Sequence, residues 1–136
     1  WDRPTENVDG FIDGCFRTGD LGAIDSDGYL SIVGRAKELI ISGGFNVYPR
    51  EVEDVILEYE PIQECAVVGV PDDEWGEIVV AFVVAEREIG PEEIKNFVGD
   101  RLAHYKRPRK TFRLEMLPRN ALGKVQKHLL PKELTT

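Results

Sequence analysis

Ser42-Gly43-Gly44-Phe45-Asn46-Val47-Tyr48-Pro49-Arg50-Glu51-Val52-Glu53 runs from a short apolar stretch, through a glycine pair, into the start of a helix. The preceding Leu39–Ser42 segment reads as a strand. From Pro49 to Tyr59, Val52, Val55, Ile56 and Tyr59 recur at helical spacing and predict one apolar face. Pro49 suits the first helical position, and Glu51 and Glu53 favour the positive end of the helix dipole. Pro61 then stops the helix.

Downstream, Glu64–Val70 and Ile78–Ala85 are rich in Val, Ala and Ile and predict two strands. The polar loop Pro71-Asp72-Asp73-Glu74-Trp75-Gly76 joins them. A second helix is expected from Pro91 to Ala103, with Ile94, Phe97, Val98 and Leu102 on one face and Glu92 and Glu93 in its first turn. Thr111–Leu114 reads as a short strand, Pro118–Gly123 as an irregular loop, and the region near Leu130–Leu134 as a short final helix. Upstream, residues 14–33 read as short strands, with Asp27-Gly28 as a hairpin signal between Leu21–Ile24 and Tyr29–Val33. The order strand, helix, two strands, helix, strand predicts an α+β fold. Helices flank a small sheet, and a short β-rich segment precedes it.

A chain of 136 residues suits one domain, or a domain with a short appendage, and an apolar share of 42% is enough for a core. Acids outnumber bases, 25 to 17, for a net charge of −8, which argues against a nucleic-acid partner. The bases are unevenly spread, however. Arg101, Lys106, Arg107, Arg109, Lys110, Arg113 and Arg119 cluster and leave room for a local anionic ligand. Cys15 and Cys65 lie far apart, without a second Cys or His at ligand spacing. The spacing therefore calls for neither a metal site nor a disulfide, and reduced cysteines suit a cytoplasmic protein. The longest apolar run, Ile78–Ala85, is of strand length, far short of the roughly 20 residues that a membrane-spanning helix needs. The opening Trp-Asp-Arg-Pro, with no Met and no signal-like region, leads us to expect a longer parent protein.

Four motifs could carry chemistry. Phe16-Arg17-Thr18-Gly19-Asp20 sets a carboxylate after a glycine turn. Gly34-Arg35-Ala36-Lys37 holds two cations that would share one side of an extended segment. The Gly43-Gly44 pair lets backbone approach a ligand closely. Pro118-Arg119-Asn120-Ala121-Leu122-Gly123-Lys124 is a loop whose closing Gly-Lys can carry an ammonium into a site and out again. Each one alone also fits a plain role: a turn aspartate, a solvated basic turn, a strand-to-helix turn, a surface loop. His104 and His128 have no evident partner and suit packing or solvent.

Together, and in this order, the motifs resemble the C-terminal end of an AMP-forming acyl-CoA synthetase of the adenylate-forming superfamily. The segments Gly69–Glu77 and Leu102-Ala103-His104-Tyr105-Lys106-Arg107-Pro108 fit the same pattern, so the resemblance covers essentially the whole chain. The Tyr-Pro-Arg-Glu-Val-Glu run looks more like fatty-acyl or malonyl-type ligases than peptide-synthetase domains.

The resemblance implies that residues 1–36 are the end of a large N-terminal adenylation lobe and residues 37–136 a mobile C-terminal domain. Lys124 would serve adenylation. Asp20, whose carboxylate can accept hydrogen bonds from both ribose hydroxyls, and Arg35 would bind nucleotide. Lys37 would be the hinge, a position where relatives often carry Asp. Gly43, Gly44 and Phe45 would line the passage for the coenzyme A arm, and Lys106 or Arg107 would lie near its phosphates. ATP, AMP and coenzyme A, with Mg²⁺ held mainly by the other lobe, are the implied cofactors. A small carboxylic acid and the chain's own N-terminal lobe are the implied partners. Asn120 departs from the Thr or Ser usual in the family. Other acceptors, a carrier-protein thiol or oxidative chemistry, remain alternatives, as does a binding module with no chemistry of its own. The fragment without its lobe is expected to be inactive.

Overall fold

The structure, a computed structural model, describes residues 8–131. The chain divides after Lys37 into two compact units, each described here by itself.

Among its described residues the first unit holds two β-hairpins. β1 (Phe11–Ile12) pairs with β2 (Cys15–Phe16), and β3 (Asp20–Ile24) pairs antiparallel with β4 (Leu30–Arg35). The expected turn at Asp27-Gly28 is present, and the Asp25 carboxylate closes it by accepting the amides of Asp27 and Tyr29, each at 2.9 Å. After Arg35 the backbone does not stay extended. The Ala36 amide donates a last bond to Gly19 O, and Ala36–Glu38 winds into a 3-10 turn. Lys37 is therefore not on the strand shared with Arg35, and the expected same-side placement of the two cations fails.

The second unit is built on a long antiparallel ribbon of β7 (Ile62–Asp72) and β8 (Gly76–Ala85). Both strands outrun their sequence-predicted bounds at the linking loop, which is tighter than expected, and β7 also starts earlier, at Ile62, where it pairs with Ala85. The Asp72 carboxylate accepts the amides of Glu74 and Trp75, each at 3.0 Å. Along its other edge β8 meets β5 (Ile40–Ser42) at Gly76 and, further on, a parallel β9 (Lys110–Arg113). β6 (Phe45–Val47) completes the sheet beyond β5. No sequence signal had been assigned to β6. Its partner β5 turns back through Gly43 and Gly44, with φ of 57° and 81°, the all-positive geometry of a two-residue hairpin.

β8 explains the eight-residue apolar run. Val79, Ala81, Val83 and Ala85 face one core with the helices, whereas Ile78, Val80 and Phe82 face a second with Leu117 and Leu130. A strand covered on both faces has no reason to alternate. The helix side receives α1 (Pro49–Leu57) through Val52 and Ile56, and α2 (Pro91–Gly99) through Ile94 and Val98. The sheet flanked by helices matches the α+β expectation.

Both helices are shorter than predicted. At the end of α1 the amides of Glu58 and Tyr59 turn back to the carbonyls of Val55 and Ile56, tightening its last turn. α2 stops at Gly99, and the Leu102 side chain still reaches the core from a turn. Glu53, near the start of α1, is buried, and its Oε1 accepts the Val67 amide at 2.8 Å. Lys127–Leu129 forms a 3-10 turn, and residues 132–134 of the final helix expected near Leu130–Leu134 lie outside the described residues.

Candidate functional site

In the first unit the ladder register sets Asp20 directly opposite Arg35, and their side chains pair, Arg35 Nε to Asp20 Oδ1 at 2.7 Å. Thr18 helps to frame them. Its hydroxyl accepts the Asp20 amide, and its carbonyl accepts an Arg35 N–H at 3.4 Å. The pair is open to solvent on the hairpin and offers an accepting carboxylate beside a donating guanidinium, a combination with the chemistry to take a diol next to an anionic group. Lys37, also exposed, closes this unit.

In the second unit the Gly43-Gly44 turn is fixed from beneath. Gly43 N donates to Trp75 O at 2.9 Å, and the Glu77 carboxylate accepts the Ile41 amide at 2.8 Å. A Cβ on Gly43 would come within 2.9 Å of the Trp75 ring, whereas one on Gly44 would meet nothing within 4 Å. Gly44 is therefore the open side of the turn. Phe45 stacks on Tyr105 with centroids 4.6 Å apart, and the Arg109 guanidinium lies 4.0 Å over the Trp75 ring. The reading of the sequence gave Trp75 and Tyr105 no role. An aromatic residue within each of the two resembling segments is the available signal, but only the tertiary structure brings them to the glycine turn, Trp75 through the β5–β8 pairing and Tyr105 from a 3-10 turn, His104–Lys106. Lys106, expected near phosphates, pairs with Glu51 of α1, and Arg107 donates to Leu102 O at 2.9 Å.

The Lys124 loop is a closed structure. Arg119 and Val125 bridge across its base, and the Gln126 amide donates to Pro118 O at 2.7 Å. Asn120 holds the interior. Its Oδ1 accepts the amides of Leu122 and Lys124 at 3.0 and 2.9 Å, and its own amide donates to Lys124 O at 2.9 Å. The departure from Thr or Ser at this position thus leaves a well-made turn. The Arg119 guanidinium donates to Gly123 O at 2.6 Å and also binds Glu64. The Lys124 side chain is exposed, with no acidic partner among the described residues.

These anchors separate the two loops. The Lys124 loop is tied at Glu64, near the start of β7, and the glycine turn at Trp75 and Gly76, beside Asp72 at its end. Eight residue steps at about 3.3 Å each put the anchors roughly 26 Å apart along one ribbon.

Residues 51–124 match the family described as the AMP-binding enzyme C-terminal domain. The chain belongs to this family. Among similar proteins, a long-chain-fatty-acid–CoA ligase, FadD13, of Mycobacterium tuberculosis is 48% identical over 134 residues, covering 98% of this chain and 27% of its own length. The crystal structure of ATP-bound MatB from Rhodopseudomonas palustris superposes with a TM-score of 0.88 at 43% identity, covering 96% of this chain and 26% of that one. The o-succinylbenzoate CoA synthetase MenE of Bacillus subtilis, in complex with its acyl-adenylate intermediate OSB-AMP, gives 0.90 at 40% identity, covering 95% and 27%. The chain thus spans about a quarter of the length of the relatives it matches.

As a member of the AMP-binding enzyme C-terminal domain family, the chain carries a basic loop and a glycine turn on one unit. Among its described residues no group of three or more His, Cys, Asp or Glu side chains is arranged to hold a metal ion. No helix among these residues is long and apolar enough to cross a membrane.

Proposed function

We propose that this chain is the C-terminal part of an acyl-CoA synthetase that joins a carboxylic acid to coenzyme A through an acyl-adenylate. The observation carrying this reading is that the exposed Lys124 loop and the Gly43-Gly44 turn are anchored roughly 26 Å apart along one ribbon. Two loops so held cannot serve one site at the same moment, so two orientations of the unit would serve two steps.

In the first step the acid's carboxylate oxygen attacks the α-phosphorus of ATP, and the P–O bond to pyrophosphate breaks. Negative charge gathers on the phosphoryl oxygens, and the exposed Lys124 ammonium stabilises it. The Asp20 carboxylate would take the ribose hydroxyls, held in place by Arg35, which also faces the phosphate. Rotation about Lys37 then withdraws Lys124 and brings in the glycine turn. In the second step the coenzyme A thiol, losing its proton, attacks the acyl carbon, and AMP leaves. Gly44 keeps the passage open, while Phe45 and Trp75 wall it. The acid and the N-terminal lobe would be the partners, and the enzyme would be cytoplasmic.

The test is pyrophosphate release by the full-length enzyme with a panel of acids, with and without coenzyme A. Acid-dependent release with coenzyme A consumed in step supports the reading. Release with no dependence of product on coenzyme A would point to another acceptor, and no release with any acid would refute adenylation.

A further inference from the structure

The Lys127 ammonium lies 2.7 Å from Glu53 Oε1 and 3.2 Å from Glu38 Oε2. The side chains are 21% exposed for Lys127 and 11% for Glu53, so this pair is largely withdrawn from water. We propose that Lys127 is a positioning residue for the Lys124 loop, clamping the loop's C-terminal leg to α1 and to the segment that follows Lys37. This rests on the adenylation role given to Lys124 above.

A carboxylate as buried as Glu53 needs a counter-charge. Its other partner, the Val67 amide, is a neutral donor. Cys65, which adjoins both charges, is no competitor: burial first, and then the Glu53 charge, push its thiol pKa up and keep it neutral. Among the described residues Lys127 is the cation paired with Glu53.

The consequence lies in the loop. Its N-terminal leg is held by Arg119 on Glu64, and its C-terminal leg by Lys127 on Glu53. Val125 and Leu130, on either side of Lys127, pack into the second apolar cluster. Base and tip therefore behave differently, with a doubly clamped base and an exposed Lys124 at the tip. Through Glu38 the same ammonium also holds the first residue of the second unit, so that the clamp begins directly after Lys37.

The experiment compares the full-length enzyme with its Lys127→Met, Lys127→Arg and Glu38→Gln variants, by hydrogen exchange and by the two half-reactions measured separately. For Lys127→Met, exchange of amides in 118–126 should rise at least about tenfold, with the β8 amides unchanged, since only the clamp is released. Acyl-AMP formation should lose about tenfold in kcat with KM for ATP nearly unchanged, while thioester formation from supplied acyl-AMP holds. Lys127→Arg should restore most of the loss, and Glu38→Gln should give a weaker form of the same pattern. Unchanged exchange in 118–126, or equal loss in both half-reactions without rescue by Arg, overturns the proposal. If Lys127→Met does not fold, exchange in Glu38→Gln decides: faster exchange in 118–126 supports the clamp, and no change overturns it. If the wild type releases no pyrophosphate with any acid, the acyl-CoA synthetase reading falls, and the exchange data still judge the clamp.

Discussion

Alanine at Gly43 should cost clearly more than alanine at Gly44, although the two glycines are neighbours in one turn with similar left-handed backbone. Both positions have positive φ, 57° and 81°, so either alanine pays about 1–2 kcal/mol for a left-handed L-residue. Only at Gly43 would the new Cβ also press on a neighbour, at 2.9 and 3.0 Å from Trp75 ring carbons. Crowding of that kind adds about 1–3 kcal/mol. Gly44→Ala should then cost about 1–2 kcal/mol and Gly43→Ala about 2–5 kcal/mol, read from urea unfolding of the chain. In thermal unfolding each kcal/mol is worth roughly 4–8 °C for a unit of this size. Trp75→Ala supplies the control, because removing the ring should erase the surplus at Gly43 and leave Gly44 untouched. Equal costs at the two glycines, or a surplus that survives in the Trp75→Ala background, would refute the argument that Trp75 shapes this turn.

Further outcomes follow from other sites. Lys124→Ala in the full-length enzyme should lower acyl-AMP formation about 10²–10³-fold and spare thioester formation from supplied acyl-AMP, as separate half-reaction assays would report. Ile56→Ala, at a fully buried position of α1, should destabilise the fold by about 2–5 kcal/mol, measured by denaturant unfolding. Arg87, then the Tyr59 hydroxyl and the Gly90 amide, hold the Glu93 carboxyl at a pKa of about 2, against an ordinary 4.5. Because the folded value is the lower one, Glu93 stabilises the fold above about pH 4.5, and that contribution fades as the pH falls from there towards 2. Unfolding midpoints of Glu93→Gln should therefore depend less on pH across this window than those of the wild type. Cys15 is exposed and should react rapidly with a thiol reagent near neutral pH, whereas Cys65, its pKa raised mainly by burial, should react only on unfolding.

Much of the architecture was legible in the chain. The apolar face of α1, the two Val-rich strands and the Asp27-Gly28 hairpin all rest on local chemistry, a period of spacing or a turn residue, and each element exists in the structure. Boundaries and short elements were less legible. β6 is three residues long, too short for a pattern of its own, and forms because the glycine pair folds it back on β5. The 3-10 turn at Lys37 likewise overrides the extended geometry that the spacing of Arg35 and Lys37 suggested.

The site residues divide in the same way. Contiguous motifs, through their resemblance to the acyl-CoA synthetases, singled out Asp20, Arg35, Gly43, Gly44 and Lys124 as candidates. Asp20 and Arg35 meet as they do because β3 and β4 are joined by a local hairpin. Tertiary structure alone decided the rest. It set Trp75 against Gly43, buried Glu53, and gave that carboxylate Lys127 as its partner. It also set how far apart the two loops are anchored, through the length of the β7–β8 ribbon. None of these follows from spacing, because each joins residues remote in the chain. Whether an acidic residue on a helix meets water or a core is settled by what packs over it.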